Sequence, residues 1–293
     1  MPSPTVESEE GGESPPPGLP GGTLLFSRFD ESSHSLVSTG LIRPDGTAEG
    51  DLTWPNPEPG GRWSRDGSRI AVVTILDDEL PGTMILEADG TVDHVLEVPD
   101  TGLRLVCTVW SPDDKRLACE GFDDADPAKN GLYTVALDGG DVQRLTSAPD
   151  GTHDIPGDYS PDGLQIVFKR TTDEDPGPLM LVDTTGGRPR PLSHTEYEDP
   201  GRFSPDGKTI LTARGGTVET VDLDGKITGT ISDAEGYFFG AVWSPDGEWI
   251  AYSRFVGSPF SEIFISRPDG SEVWQVTHTP GDNEINIDWG PEP

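Results

Sequence analysis

The chain has 293 residues, with 53 Asp and Glu against 20 Lys and Arg, and a formal charge of −33. Such an acidic surface makes nucleic acid and anionic membranes poor partners, because phosphate contacts need Lys and Arg. No run approaches the roughly 18 apolar residues that cross a bilayer, and with 37 Gly and 29 Pro more than a fifth of the chain is turn chemistry.

Residues 1–20, MPSPTVESEEGGESPPPGLP, hold no aromatic side chain and two aliphatic ones, the composition of a disordered acidic tail or linker. They have neither the basic start nor the apolar run of a signal peptide, so the chain as written is expected to be soluble and unexported. An acidic, Pro-rich leader is also what remains when an export signal or lipid anchor has been removed, and the sequence leaves both open. From Leu24 the pattern changes: Leu24-Leu-Phe-Ser-Arg-Phe29 has the makeup of a strand and closely matches Ile250-Ala-Tyr-Ser-Arg-Phe255.

Next comes a turn, RPDG at 43–46, a strand ending Leu52-Thr53, and then the first of a series of similar stretches. RWSRDGSRIAVVT surrounds Trp63, VWSPDDKRLACEG Trp110, DYSPDGLQIVFKR Tyr159, RFSPDGKTILTAR Phe203, VWSPDGEWIAYSR Trp243, and DWGPEP begins a sixth at Trp289. The anchors are 47, 49, 44, 40 and 46 residues apart, within the range of propeller repeats. Pro-Asp-Gly suits a type I turn followed by a left-handed residue, the three-residue hairpin loop; Asp114, replacing Gly in the Trp110 copy, tolerates that region better than most residues. The apolar segments after each turn have strand composition. A second turn follows in every unit (EADG, ALDGG, DTTGG, DLDG, RPDG), then a strand ending in an aliphatic residue with Thr or Ser, except near Val98. Four strands per unit, A to D, with hairpins joining A to B and C to D, describe a propeller blade. The last copy supplies only a strand A, residues 283–290, and the Leu24 segment is a strand B without an A. Their pairing would complete one blade and close the ring.

The W-S-P-D-G turn, the aliphatic strand after it and the Leu-Thr ending resemble the TolB-like family of six-bladed β-propellers, over residues 21–293. The expected fold is therefore all-β: six blades of four antiparallel strands, closed by the C-terminal strand against the N-terminal one. The family implies a habit of binding other molecules around the channel mouth and no single reaction.

The two cysteines are informative. Counting outward from a three-residue loop at 112–114 sets Cys107 opposite Cys119 as a wide, hydrogen-bonded pair, about 5.5 Å between Cα atoms, which is within disulfide range. Two buried thiols are the plainer expectation, and no Cys/His spacing supports zinc.

Function is sought where loops gather. The B to C loops read DDE at 77–79, DDAD at 123–126 and DED at 173–175, and the D to A loops add Asp154, Glu196, Glu198, Asp233, Glu235, Asp282 and Glu284. All are expected around one channel mouth, where a cleft of one sign attracts a basic protein or peptide segment, or Ca²⁺. His194 and His278 follow strand D at equivalent positions, with Asp233 at that position between them; together with His153 they suggest a transition-metal site. The residue before each anchor forms a second ring: Arg62, Val109, Asp158, Arg202, Val242, Asp288. Ion pairs between neighbouring blades, Asp158 with Arg202 and Asp288 with Arg62, are the plain expectation there, and a ligand-orienting Arg62 or Arg202 the sharper one. A protease of the prolyl-oligopeptidase type would need a further α/β region and a G-x-S-x-G elbow, both absent from the sequence. Lyases of pectic oligosaccharides also resemble the repeat and use a His-bound metal, but a polyanion would approach an acidic mouth against its field. The expected function is thus a non-catalytic binding or scaffolding module at the acidic mouth; the alternative is a metal-dependent carbohydrate lyase or hydrolase.

Overall fold

In the computed structural model the described residues are 15–30, 33, 35–77, 80–98, 102–149, 151–172, 177–197, 199–232, 237–257, 260–279 and 281–292, without the side chains of 48, 49, 193–196 and 257. Four sheets each contain four antiparallel strands. The first comprises Pro57–Trp63, Arg69–Ile75, Pro81–Glu87 and Val92–Val95, and the second Arg104–Trp110, Arg116–Phe122, Gly131–Ala136 and Gln143–Arg144. The third comprises His153–Tyr159, Gln165–Thr171, Gly177–Asp183 and Arg190–Tyr197, and the fourth Arg202–Phe203, Thr209–Arg214, Thr217–Asp222 and Ile227–Ile231. A fifth sheet has eight strands in two halves joined by a single parallel bridge, Ser261 to Asn283. One half holds Phe238–Trp243, Ile250–Gly257, Phe260–Ser266 and Trp274–Gln275; the other holds Asn283–Gly290, Thr23–Asp30, Ser35–Ile42 and Ala48–Leu52. The final strand pairs antiparallel with Thr23–Asp30, with Trp289 opposite Leu24.

Burial explains why the sheets stack. Each hydrophobic cluster draws on two sheets, or half-sheets, consecutive in this order: Ala71 and Ile85 of the first pack on Trp110 and Leu117 of the second, and Val109 and Leu132 of the second on Tyr159 and Phe168 of the third. At the ends of the chain, Val242 and Trp249 pack on Leu24 and Trp289, and Leu25 and Leu52 on Trp63 and Ile70. Buried on both faces, each sheet shares its core with its neighbours, which is how a β-propeller holds together.

The W-S-x-D-G turn differs by one residue from the sequence expectation. Ser64 N–H donates to Arg69 O at 2.8 Å and Gly67 N–H to Ser64 O at 3.0 Å, so the loop has four residues. The reason is the serine hydroxyl, which donates to Asp66 Oδ1 at 2.8 Å and accepts Arg69 N–H at 2.9 Å. Ser111, Ser160, Ser204 and Ser244 repeat this relay with Asp113, Asp162, Asp206 and Asp246. Gly67 takes φ 73°, and Asp114 takes the same region at 54°. On the second sheet the extra loop residue sets Trp110 opposite Leu117, and a bulge between Cys107 and Val109 then brings Cys107 opposite Cys119. Two one-residue shifts cancel, so the pairing holds while its type changes. The Cα atoms are 4.0 Å apart, a narrow pair, and the sulfurs form a disulfide instead of two thiols.

Residues 190–197 also depart from expectation. His194 and Glu196 lie within a strand, with Glu196 opposite Pro178 and Tyr197 opposite Gly177, whereas a loop was expected after Leu192. Tyr197, 1% exposed and packed with Phe203, holds this segment against the sheet. Among the described residues, no helix is long and apolar enough to cross a membrane.

Candidate functional site

The first strands of the four four-stranded sheets, and one strand from each half of the eight-stranded sheet, converge at their anchor ends on a cavity of about 300 Å³. Its walls are the anchors Trp63, Trp110, Tyr159, Phe203, Trp243 and Trp289, with the turn prolines Pro112, Pro161, Pro205 and Pro245. Aromatic and proline surfaces make it apolar over most of its extent, and its charge comes from Arg62, Arg65, Asp158, Arg202 and Asp288.

The charged groups are tied across the cavity, not between neighbours. Asp288 accepts Trp63 N–H at 2.9 Å on one oxygen and faces Arg202 Nη1 at 3.3 Å with the other. Asp158 accepts Phe203 N–H at 3.2 Å and a bond from Arg65 Nη2. The expected pairs Asp158–Arg202 and Asp288–Arg62 are therefore not those formed. Each aspartate uses its neighbouring unit's backbone, and the long arginines reach carboxylates two units away. Arg62 Nη1 donates to Gly157 O, and among the described residues no carboxylate pairs with it. Burial, with Arg202 alongside, pushes its guanidinium down to about 9, still cationic at neutral pH. Asp158 has the opposite effect on Arg65, raising it. Arg65 was missed in the sequence, although the signal was present: RWSRDG is the copy in which Arg replaces the turn proline.

The expected ligand set thus divides between two ends of the same strands. Arg62 and Arg202 lie at the cavity, while Asp154, Asp282 and Glu284 lie at the opposite end. There the acids have internal partners. Asp154, 1% exposed, receives Arg170 Nε and Nη2 at 2.7 Å each and the Thr146 hydroxyl at 2.5 Å. Glu284, fully buried, accepts Arg28 Nε at 3.0 Å and Thr279 Oγ1 at 2.5 Å on one oxygen, while Oε2 has no partner among the described residues; desolvation pushes its carboxyl up. Asp282 is 3.8 Å from Arg28 with a third of its side chain exposed. A sequence signal marks these pairs: Arg28 and Arg170 end second strands at positions directly opposite Glu284 and Asp154.

His153 Nδ1 is 2.9 Å from Glu120 Oε1, whose carboxyl burial pushes up. His278 is exposed. The side chains of His194 and Glu196, and residues Glu198, Asp233 and Glu235, lie outside the described residues, as does much of the expected acidic rim. Among the described residues, no group of three or more His, Cys, Asp or Glu side chains is placed to hold a metal ion.

The fold is that of a β-propeller, similar to those of solved TolB structures. TolB from Acinetobacter baumannii superposes with a TM-score of 0.70 at 19% identity, over 92% of this chain and 67% of that one. A putative TolB from Agrobacterium tumefaciens gives 0.63 at 17%, over 92% and 99%. An oligogalacturonate lyase in complex with manganese gives 0.53 at 18%, over 89% and 75%. In sequence, an uncharacterized protein of Agrobacterium fabrum is 27% identical over 195 residues, 63% of this chain; the chain spans 60% of that relative's length. No family model matches.

Proposed function

We propose that the chain is a non-catalytic binding module on a closed, six-bladed propeller, and that it takes its ligand or partner along the bore. The observation that carries the reading is the cavity: six units each contribute an anchor segment to one apolar pocket with charged groups fixed by backbone bonds. Concave, largely apolar and pre-formed sites with a few placed polar groups are what ligand binding requires. The pairing of the last strand with Thr23–Asp30, and the clusters shared between successive sheets, support the closed ring. At the other mouth Asp154 and Glu284 are engaged internally, so we assign the acidic face a long-range part, drawing a basic protein or peptide segment by its field. The buried disulfide favours an oxidising compartment.

A second reading, a manganese-dependent lyase, is favoured by the fold shared with the manganese-bound oligogalacturonate lyase, with His153, His194 and His278 as ligands. The two separate cleanly. Incubated with oligogalacturonate and manganese, the protein should form no unsaturated product, and metal analysis should find no stoichiometric transition metal. A manganese-dependent elimination abolished by His153→Ala would establish the lyase instead. For the binding reading, Val242→Phe, which fills the cavity wall, should abolish uptake of any ligand that protects the wild type from thermal unfolding.

A further inference from the structure

The ring before the anchors reads Arg62, Val109, Asp158, Arg202, Val242, Asp288, the same three residue types twice over. Arg202 finds its carboxylate two units on, at Asp288. The equivalent partner for Arg62 is Asp158, but Arg65 already occupies that carboxylate. Arg65 stands where the other full copies carry Pro112, Pro161, Pro205 and Pro245, so a single departure from the repeat adds a cation to an otherwise balanced set. The cavity is left with three guanidinium groups and two carboxylates; among the described residues Arg62 is the one of the three that forms no ion pair, and it feels Asp288 and Asp158 only as carboxylates already bonded to Arg202 and Arg65.

We propose that Arg62 anchors a single carboxylate, carried by a small ligand with an apolar body, in the cavity among the six anchors. This deepens the binding reading and rests on it. One excess positive charge matches one carboxylate, and a guanidinium fork suits it in geometry. A phosphate dianion would overcompensate, and Asp158 and Asp288 would repel the surplus. The body fits the walls: proline and aromatic faces offer apolar contact, and about 300 Å³ lies at the small end of ligand pockets. The total charge of −33 opposes any anion at long range, so the specificity resides in Arg62. Arg202 and Arg65 act as positioning residues that keep Asp288 and Asp158 neutralised.

Calorimetric titration of the full chain at pH 7 with phenylacetate, its neutral isostere phenylacetamide, and inorganic phosphate provides the test, with melting temperature as the check on folding. Phenylacetate should bind once per chain, at least tenfold more tightly than the amide, and phosphate should give no heat. Arg62→Met should reduce phenylacetate to the affinity of the amide. Arg65→Gln keeps the backbone N–H that bonds Asp114 at 2.7 Å but releases Asp158 to Arg62, and should weaken phenylacetate tenfold with the fold intact. This variant decides the matter if Arg62→Met does not fold. Equal binding of acid and amide, or affinity unchanged in both variants, would overturn the role of Arg62 while leaving the bore as the binding site. Tighter binding of phosphate would overturn the ligand class, and failure of every probe would overturn the carboxylate site and the bore reading together.

Discussion

Reducing the bond between Cys107 and Cys119 isolates one structural element without altering the sequence. The bond closes a hairpin of sequence separation 12. In the chain-entropy treatment a loop of this size restricts the unfolded ensemble by about 3 kcal/mol. Both residues are fully buried among Ala71, Ile85 and Tyr133, so the reduced sulfurs, which must part to van der Waals separation, can only add to the loss by crowding that cluster. At about 2–4 °C per kcal/mol for chains of this size, the melting temperature should fall by roughly 6–12 °C. Calorimetry with and without reductant reads the shift, and thiol titration in denaturant confirms the redox state. Two free thiols in the unreduced protein, or complete reduction with a melting temperature unchanged within about 2 °C, would refute the reasoning.

Removing Asp154 by Asp154→Ala leaves Arg170 without its bidentate partner; loss of one member of a buried pair typically costs 3–5 kcal/mol, and with Arg170 19% exposed about 3 kcal/mol is expected in urea unfolding. Gly290→Ala sets a methyl 2.4 Å from Trp63 Cγ, an overpacking that should lower stability by about 1–3 kcal/mol and change the tryptophan fluorescence at the cavity. In the turn family the carboxyls of Asp66, Asp113, Asp162 and Asp206 are all held low by bonds they accept, Asp206 at about 2 through Lys208 and Ser204. Lowered carboxylates stabilise the fold above their unfolded value of 3.8 and lose that contribution as pH falls through the folded value. Asp206→Asn should therefore lower the melting temperature at pH 6 and converge with wild type near pH 2, and a constant difference down to pH 2 would contradict this.

Much of the architecture was legible because the repeat carries it. The strand expected at residues 283–290 is the one found, and each W-S-x-D-G motif forms a hairpin. What escaped depends on groups acting across space. The serine hydroxyl takes a place in the ladder that strand counting cannot assign, which lengthens each turn, and a bulge further along the strand, between Cys107 and Val109 on the second sheet and between Pro156 and Asp158 on the third, offsets it. The charged ring was readable as a set, yet its partners were not, since a guanidinium at the end of a long side chain reaches two units away. The acidic mouth follows from the loop positions of its carboxylates, which say nothing of their partners, whereas Asp154 and Glu284 sit opposite arginines near the end of the adjoining strand. Arg65 was visible as an irregularity in the repeat, and its consequence needed the cavity.

Closure of the ring can be tested by removing residues 283–293 and following unfolding by circular dichroism. That segment supplies Ile287 and Trp289, 2% and 7% exposed, and covers Leu24, Leu25 and Phe26. Exposing these side chains, at about 1.5–3 kcal/mol each, consumes most of the 5–15 kcal/mol that holds a domain folded. A closed ring predicts that the truncated protein has no cooperative transition and loses the cavity; a cooperative melt within a few degrees of the intact chain would contradict it.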